Sequence, residues 1–196
     1  MKTLRPGYIL PSSALTVPSR VLRRHALLDR PPEIGDLVYG RITSIGQHQS
    51  LENKHGRIHE IHDGTRAIFV FGNRYAPDAF EGVVPSTPAR EVDLLARSGM
   101  VGTMRVKNSN TKDPTRVEIL GYLVDDTGEV VNSRAFPIAK PSRPLAEQAR
   151  RSPMILHVGT SMNAGKSTSA VACCWALAAM GHAVRASKVT GTCLLY

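Results

Sequence analysis

Apolar and polar positions alternate in short runs over the first two thirds of the chain, and the runs are bounded by Gly and Asp. "LVYGRITSI" (Leu37 to Ile45) is rich in β-branched residues and predicts a strand. "RIHEIHDGTRAIFVFG" (Arg57 to Gly72) predicts a hairpin folded about Asp63-Gly64. "MVGTMRVKN" and "TRVEILGYLVDD" predict two further strands, after which "DDTG" turns the chain into "EVVNSRAF". No sustained 3.6-residue period and no internal repeat occurs in this region. Residues 1–36 contain Pro6, Pro11, Pro18, Pro31 and Pro32. They predict extended, irregular chain around one short basic helix, "SRVLRRHALLD".

"FPIAKPSRPLAEQARRSP" (Phe136 to Pro153) reads as a linker with room for one short helix opening at Pro144. The pattern then changes period. "MILHVG" is a short apolar strand candidate, and "KSTSAVACCWALAAM" predicts a helix that Gly181 stops. "HAVRASKV" predicts a second strand. The helix is apolar nearly all round, which predicts burial on more than one side. The expected architecture is therefore an α+β chain in two parts. Residues 1–136 form a small β barrel or sandwich, 137–153 a linker, and 154–196 the first strand–loop–helix–strand unit of a parallel α/β domain.

Composition narrows the class. The chain has 196 residues, of which 42% are hydrophobic, enough for a packed core, and 5% aromatic, which leaves few stacking platforms. The net charge is +9. Residues 151–196 contribute four of the cations and no acid, Glu147 being the last carboxylate side chain. A basic balance suits an anionic partner, nucleotide or nucleic acid. The cations are scattered, and the densest knot, "SRVLRRH", is too short for a nucleic-acid arm. Cys173, Cys174 and Cys193 have neither disulfide-framework nor zinc spacing and fit a reducing compartment. No continuous apolar segment follows the basic N-terminus, and the longest apolar run, Ala170 to Met180, is too short to span a bilayer. A cytoplasmic protein is expected.

The candidate chemistry lies in "GTSMNAGKST" (Gly159 to Thr168). A phosphate loop needs small residues where backbone N–H groups wrap the phosphates, a lysine for the β- and γ-phosphates, and a hydroxyl for magnesium. Gly165, Lys166 and Ser167 supply the end of such a motif. Its usual first glycine would fall at Thr160, but the glycine stands one residue earlier, at Gly159.

With that offset the loop resembles the one in dethiobiotin synthetase and the related cobyrinic acid amide synthases. The likeness continues through Gly181, Lys188 and Gly191, in the same order, and covers roughly residues 154–192. The resemblance implies a P-loop nucleotide-binding domain that takes ATP and Mg²⁺, and an enzyme of phosphoryl transfer or carboxylate activation acting on a small-molecule substrate. It implies that Gly159, Thr160, Ser161, Met162, Asn163, Ala164, Gly165, Lys166, Ser167 and Thr168 wrap the phosphates. Lys166 would be the phosphate-stabilising lysine, Ser167 the magnesium hydroxyl, and Lys188 a second functional lysine at the end of the next strand. Ser161 replaces the extra lysine of a related dimer-bridging ATPase subgroup. The group also uses acids from later strands. Their absence after Glu147 implies the opening portion of a longer protein, inactive by itself, with an exposed sheet edge beside "HAVRASKV" through which copies could associate.

Other residues compete for attention. His55, His59 and His62 read as a polar hairpin face rather than a metal site, since no cysteine or carboxylate framework joins them. "FGNRYAPDAFEG" packs Asn73, Arg74, Tyr75 and Asp78 into one loop, a place where ligand contacts or an ordinary turn can sit. Asp78 and Glu81 are the first carboxylates to examine should the chain hydrolyse ATP unaided. The alternative function is a nucleotide-regulated module whose basic β domain grips a nucleic acid or protein. Nucleic-acid binding would need Tyr39, Phe69, Phe71 and Tyr122 on one open face. Cys173 and Cys174 read as core residues of the helix.

Overall fold

A computed structural model describes residues 1–138 and 152–188. These fall into two compact units, one within Met1–Ile138 and one within Ala139–Gly191.

In the first unit the strands are β1 (Lys2–Thr3), β2 (Arg24–Ala26), β3 (Leu37–Ser44), β4 (Ser50–Glu52), β5 (Ile58–Glu60) and β6 (Arg66–Phe71). They continue with β7 (Arg74–Tyr75), β8 (Phe80–Val83), β9 (Glu91–Ala96), β10 (Met100–Lys107) and β11 (Thr115–Val124). All but β4 and β5 belong to one nine-stranded sheet. Within it the pairings close on themselves. β11 pairs β3, β3 pairs β6, β6 pairs β10, β10 pairs β9, and β9 returns to β11. The β6–β10 pair is parallel, with Val101 opposite Phe71, and the other ring pairs are antiparallel. β1 and β2 extend the ring beside β11, while β8 and β7 extend it beside β10.

Side-chain alternation explains why this ring needs a covering layer. Val38 and Ile42 of β3, Ala67, Phe69 and Phe71 of β6, and Val117 and Ile119 of β11 share one buried cluster. The alternate residues Leu37, Tyr39, Ile68, Val70 and Leu123 form a second cluster with Leu4, Ala14, Val17, Leu22 and Val131. Strands with period-2 geometry send successive side chains to opposite faces. An apolar run such as "AIFV" is therefore buried on both, and the N-terminal segment supplies the second cover. Inside the ring, Gly40 leaves room for its neighbours. A Cβ there would lie 2.8 Å from Val117 Cγ1 and 3.0 Å from the Glu118 carbonyl oxygen.

Polar groups lock the sheet at two places. Asp93, buried in β9, accepts from Arg116 Nη1 of β11 and from the Met104 N–H of β10 at 2.8 Å. Arg116 also holds Glu91 at 2.7 Å and keeps its carboxyl below the usual range. Asp36, likewise buried, takes Arg30 Nη2 at 2.8 Å, the Glu33 N–H at 2.9 Å and Asn132 Nδ2 at 2.9 Å.

The second unit contains the helix α1 (Lys166–Ala179). Its C-terminus is closed by Gly181 in the left-handed region, φ 87°. The Gly181 N–H donates to the Ala178 carbonyl and the His182 N–H to the Leu177 carbonyl, each at 3.0 Å. These are the two bonds of a Schellman cap.

Several expectations are corrected here. The small β barrel or sandwich gives way to one large mixed sheet, of which only part closes into a ring. The expected parallel α/β unit is not seen among the described residues. Among the described residues, 154–159 and 182–188 make no strand beside α1. A strand requires a ladder partner, and Met154, Leu156 and Val158 stay exposed. None of the helix residues is buried, against the expected two-sided burial, and Trp175 is 75% exposed. The predicted hairpin about Asp63-Gly64 is not a ladder. β5 pairs β4, whereas β6 pairs β3 and β10. The basic helix "SRVLRRHALLD" is instead a 3₁₀ turn over Ser19–Val21 followed by β2, because Tyr122, Leu123 and Val124 capture Ala26, His25 and Arg24. The helix expected at Pro144, and Val189 to Thr192, lie outside the described residues.

Candidate functional site

Gly159 to Gly165 runs as a tight turn, and Lys166, Ser167 and Thr168 are the first three residues of α1. Two residues take left-handed backbone, Asn163 at φ 60° and Gly165 at φ 78°. Glycine suits the second of these because it has no Cβ to strain, and asparagine tolerates the first better than most residues do. Lys166 folds its side chain back over the loop, where Nζ donates to the Ser161 carbonyl. Gly159 is the residue that the stem lies against. A Cβ there would be 2.9 Å from Lys166 Cγ. The displaced first glycine thus has a steric function, since it makes space for the lysine stem.

The N–H groups of Lys166, Ser167 and Thr168 find no backbone acceptor among the described residues. No acid occupies the first turn, and the N-cap Gly165 has no side chain to cap it. Such N–H groups, with the positive end of the helix dipole and a lysine within the same turn, favour a bound anion. The hydroxyls of Ser167 and Thr168 are exposed beside them. Behind the loop, His157 Nδ1 lies 3.1 Å from Ser169 Oγ and ties the entering segment to the helix. That contact was not anticipated, because an isolated His and Ser twelve residues apart carry no motif.

Of the expected site residues, Lys166, Ser161 and Gly159 are brought into contact. Lys188 is exposed and makes no hydrogen bond or ion pair with the loop. Magnesium would find hydroxyl oxygens here, those of Ser167 and Thr168, but no carboxylate. The described residues 152–188 contain no Asp or Glu. The donor set suits a cation carried in on phosphate oxygens, not one held by the protein alone.

The remaining candidates separate clearly. Tyr39, Phe69, Phe71 and Tyr122 all lie in the core, at most 3% exposed, so none can stack a base. His59 Nε2 is 2.9 Å from Asn53 Nδ2, and among the described residues no three His, Cys, Asp or Glu side chains come together as a metal group. Asp78 and Glu81 are exposed residues of the first unit. Cys173 and Cys174 are half-buried and unpaired, not core residues. Among the described residues no helix is long and apolar enough to cross a membrane. Comparison with known families, with curated proteins and with solved structures finds no match.

Proposed function

We propose that this chain binds the phosphates of a nucleotide, ATP with Mg²⁺, on the segment Gly159 to Thr168. The observation that carries the reading is the Lys166 side chain turned back over a loop whose neighbouring helix N–H groups have no backbone acceptor among the described residues. The Nζ bond to the Ser161 carbonyl holds the ammonium where a phosphate oxygen would replace that carbonyl. Ser167 would complete the magnesium shell from the protein side. When bound, ATP supplies an activated phosphoryl group, and the chain's own residues supply charge neutralisation and positioning.

The likeness to the dethiobiotin synthetase group extends the proposal to ATP-dependent phosphoryl transfer or carboxylate activation on a small molecule, with Lys188 near the transferred group. A reducing, cytoplasmic setting goes with it, supported by the unpaired neighbours Cys173 and Cys174. The described part of the second unit offers no carboxylate to orient a nucleophile, so binding without rapid turnover is the expected behaviour of these residues.

Titration calorimetry with MgATP tests the binding claim. Charge-assisted hydrogen bonds contribute about 1.5–3 kcal/mol each, so Lys166→Ala should weaken binding at least about tenfold. Equal affinity for wild type and Lys166→Ala refutes the site. GTP in a parallel titration reads out base preference.

A further inference from the structure

The N-terminal segment gathers cations that the sequence keeps apart. Residues 1–28 contain Lys2, Arg5, Arg20, Arg23 and Arg24 and no Asp or Glu. β1 pairs β2 with Thr3 opposite Arg24, a register that sets Lys2 and Arg5 beside Arg23 and Arg24, with Arg20 in the 3₁₀ turn just before. All five residues are exposed. Among the described residues only Arg24 has an acid partner, Asp126 at 3.5 Å. The neighbouring carboxylate, Asp125, is taken up by its own turn, where it accepts from the Thr127 N–H and hydroxyl and from the Glu129 N–H. Arg20, Arg23 and Arg24 share with these two acids the wall of a cavity of about 330 Å³.

The same segment ends the sheet. β1 stands last in the strand order, and among the described residues no strand pairs with its outer side. The Leu4 N–H donates to the Arg23 carbonyl at 2.9 Å. Antiparallel ladders alternate between bonded and non-bonded pairs, so the next pair, Thr3 with Arg24, turns the Thr3 N–H and C=O outward. A free donor and acceptor on a strand edge are a template for another strand. The cations decide which strand fits. A second copy of this edge would set Lys2 and Arg5 against like charges, which opposes self-pairing. A nucleic acid would meet charge but no stacking platform, since no Phe, Tyr or Trp occurs in β1, β2 or the turn Ser19–Val21.

We propose that β1 is a docking edge for an acidic, extended segment of a partner protein. The segment adds to the sheet as a further strand and exchanges backbone hydrogen bonds with Thr3. Its Asp or Glu side chains meet Lys2 and Arg5 at the edge, and Arg23 and Arg24, one strand further in, add longer-range attraction. This surface belongs to the first unit and does not depend on the loop at Gly159.

The test uses the full chain and a capped, fluorescently labelled peptide of about eight residues alternating Glu and Thr, long enough for one strand. Anisotropy reads the affinity, and ¹⁵N amide NMR locates the contact. The expected result is saturable binding that shifts the amide signals of Thr3 and Arg5 together. It should weaken at least about fivefold as salt rises from about 50 mM to about 300 mM. Thr3→Pro removes an N–H that β2 does not use, so His25 and Ala26 should keep their signals while binding weakens about twofold to tenfold. Lys2→Gln with Arg5→Gln, both exposed, should keep the fold and weaken binding about threefold to tenfold. The proposal is overturned if the peptide does not saturate the signal by about 1 mM, or if a peptide with Gln in place of Glu binds equally. Wild-type affinity in Thr3→Pro or in the double variant overturns it as well. So does an oligothymidylate that shifts Thr3 and Arg5 at lower concentration than the acidic peptide, which would assign the surface to nucleic acid.

Discussion

Replacing Asp93 by alanine should open the ring at its polar lock. Asp93 faces Gly102 of β10 and Arg116 of β11 in register, so one carboxylate bridges both neighbours of β9. Its removal loses a hydrogen bond to a charged group, about 1.5–3 kcal/mol, and leaves the Met104 N–H without its acceptor, about another 1 kcal/mol. Arg116 softens the loss, because its side chain is 38% exposed and it keeps Glu91. The net expectation is about 3 kcal/mol of stability, or a Tm lower by about 10 °C for a unit of this size. Asp93→Asn keeps an acceptor for Met104 and should cost about half as much. Urea unfolding followed by far-ultraviolet circular dichroism is the assay, with linear extrapolation to water. Fluorescence would report the wrong unit, since the single tryptophan, Trp175, lies in α1. An Asp93→Ala protein within about 0.5 kcal/mol of wild type would refute the bridging role.

Two further outcomes follow from the first unit. Gly40→Ala should destabilise by about 1–3 kcal/mol in the same assay. A Cβ 3.0 Å from the Glu118 backbone oxygen forces a shift that the entropic benefit of alanine, about 0.4–1 kcal/mol, does not offset. His48 titrates at about 4 in the folded chain against 6.5 unfolded, so the unfolded chain binds more protons between those values and stability rises with pH across that window. The rise is at most about 3 kcal/mol, less for a half-buried ring. His48→Gln should flatten the slope, and an unchanged slope would contradict the burial described for this ring.

Much of the sheet was legible because its strands alternate cleanly. β3, β10 and β11 lie where β-branched runs bounded by glycine place them. What could not be read was pairing. β5 and β6 flank a favourable Asp-Gly turn, yet ring closure offers β6 two longer partners. β9 (Glu91–Ala96), the strand that closes the ring, carries Asp93 at a buried position and so breaks the apolar signature of a central strand. The segment "RHALL" has helical propensity, but β11 takes its first three residues into a strand. Around the loop, local chemistry was sufficient to place the helix. Gly165, Lys166 and the helix start are near-neighbour features, and Gly181 stops the helix as expected. The strands around the loop were not determined locally, since each needs a long-range ladder that the described residues do not provide. The contacts of His48 with Arg74 and Leu95 were likewise hidden, because they depend on β7, the loop before β4 and β9 meeting in space.

Amide NMR of the full chain with MgATP tests the central claim most directly. Phosphate bound at the loop must hydrogen-bond the N–H groups at the helix start, so the amide signals of Gly165, Lys166, Ser167 and Thr168 should shift downfield together and saturate. The same titration of Lys166→Ala should leave them nearly still. ATP that moves no signal between Gly159 and Thr168, or moves them equally in Lys166→Ala, would contradict the assignment of this loop as the phosphate site.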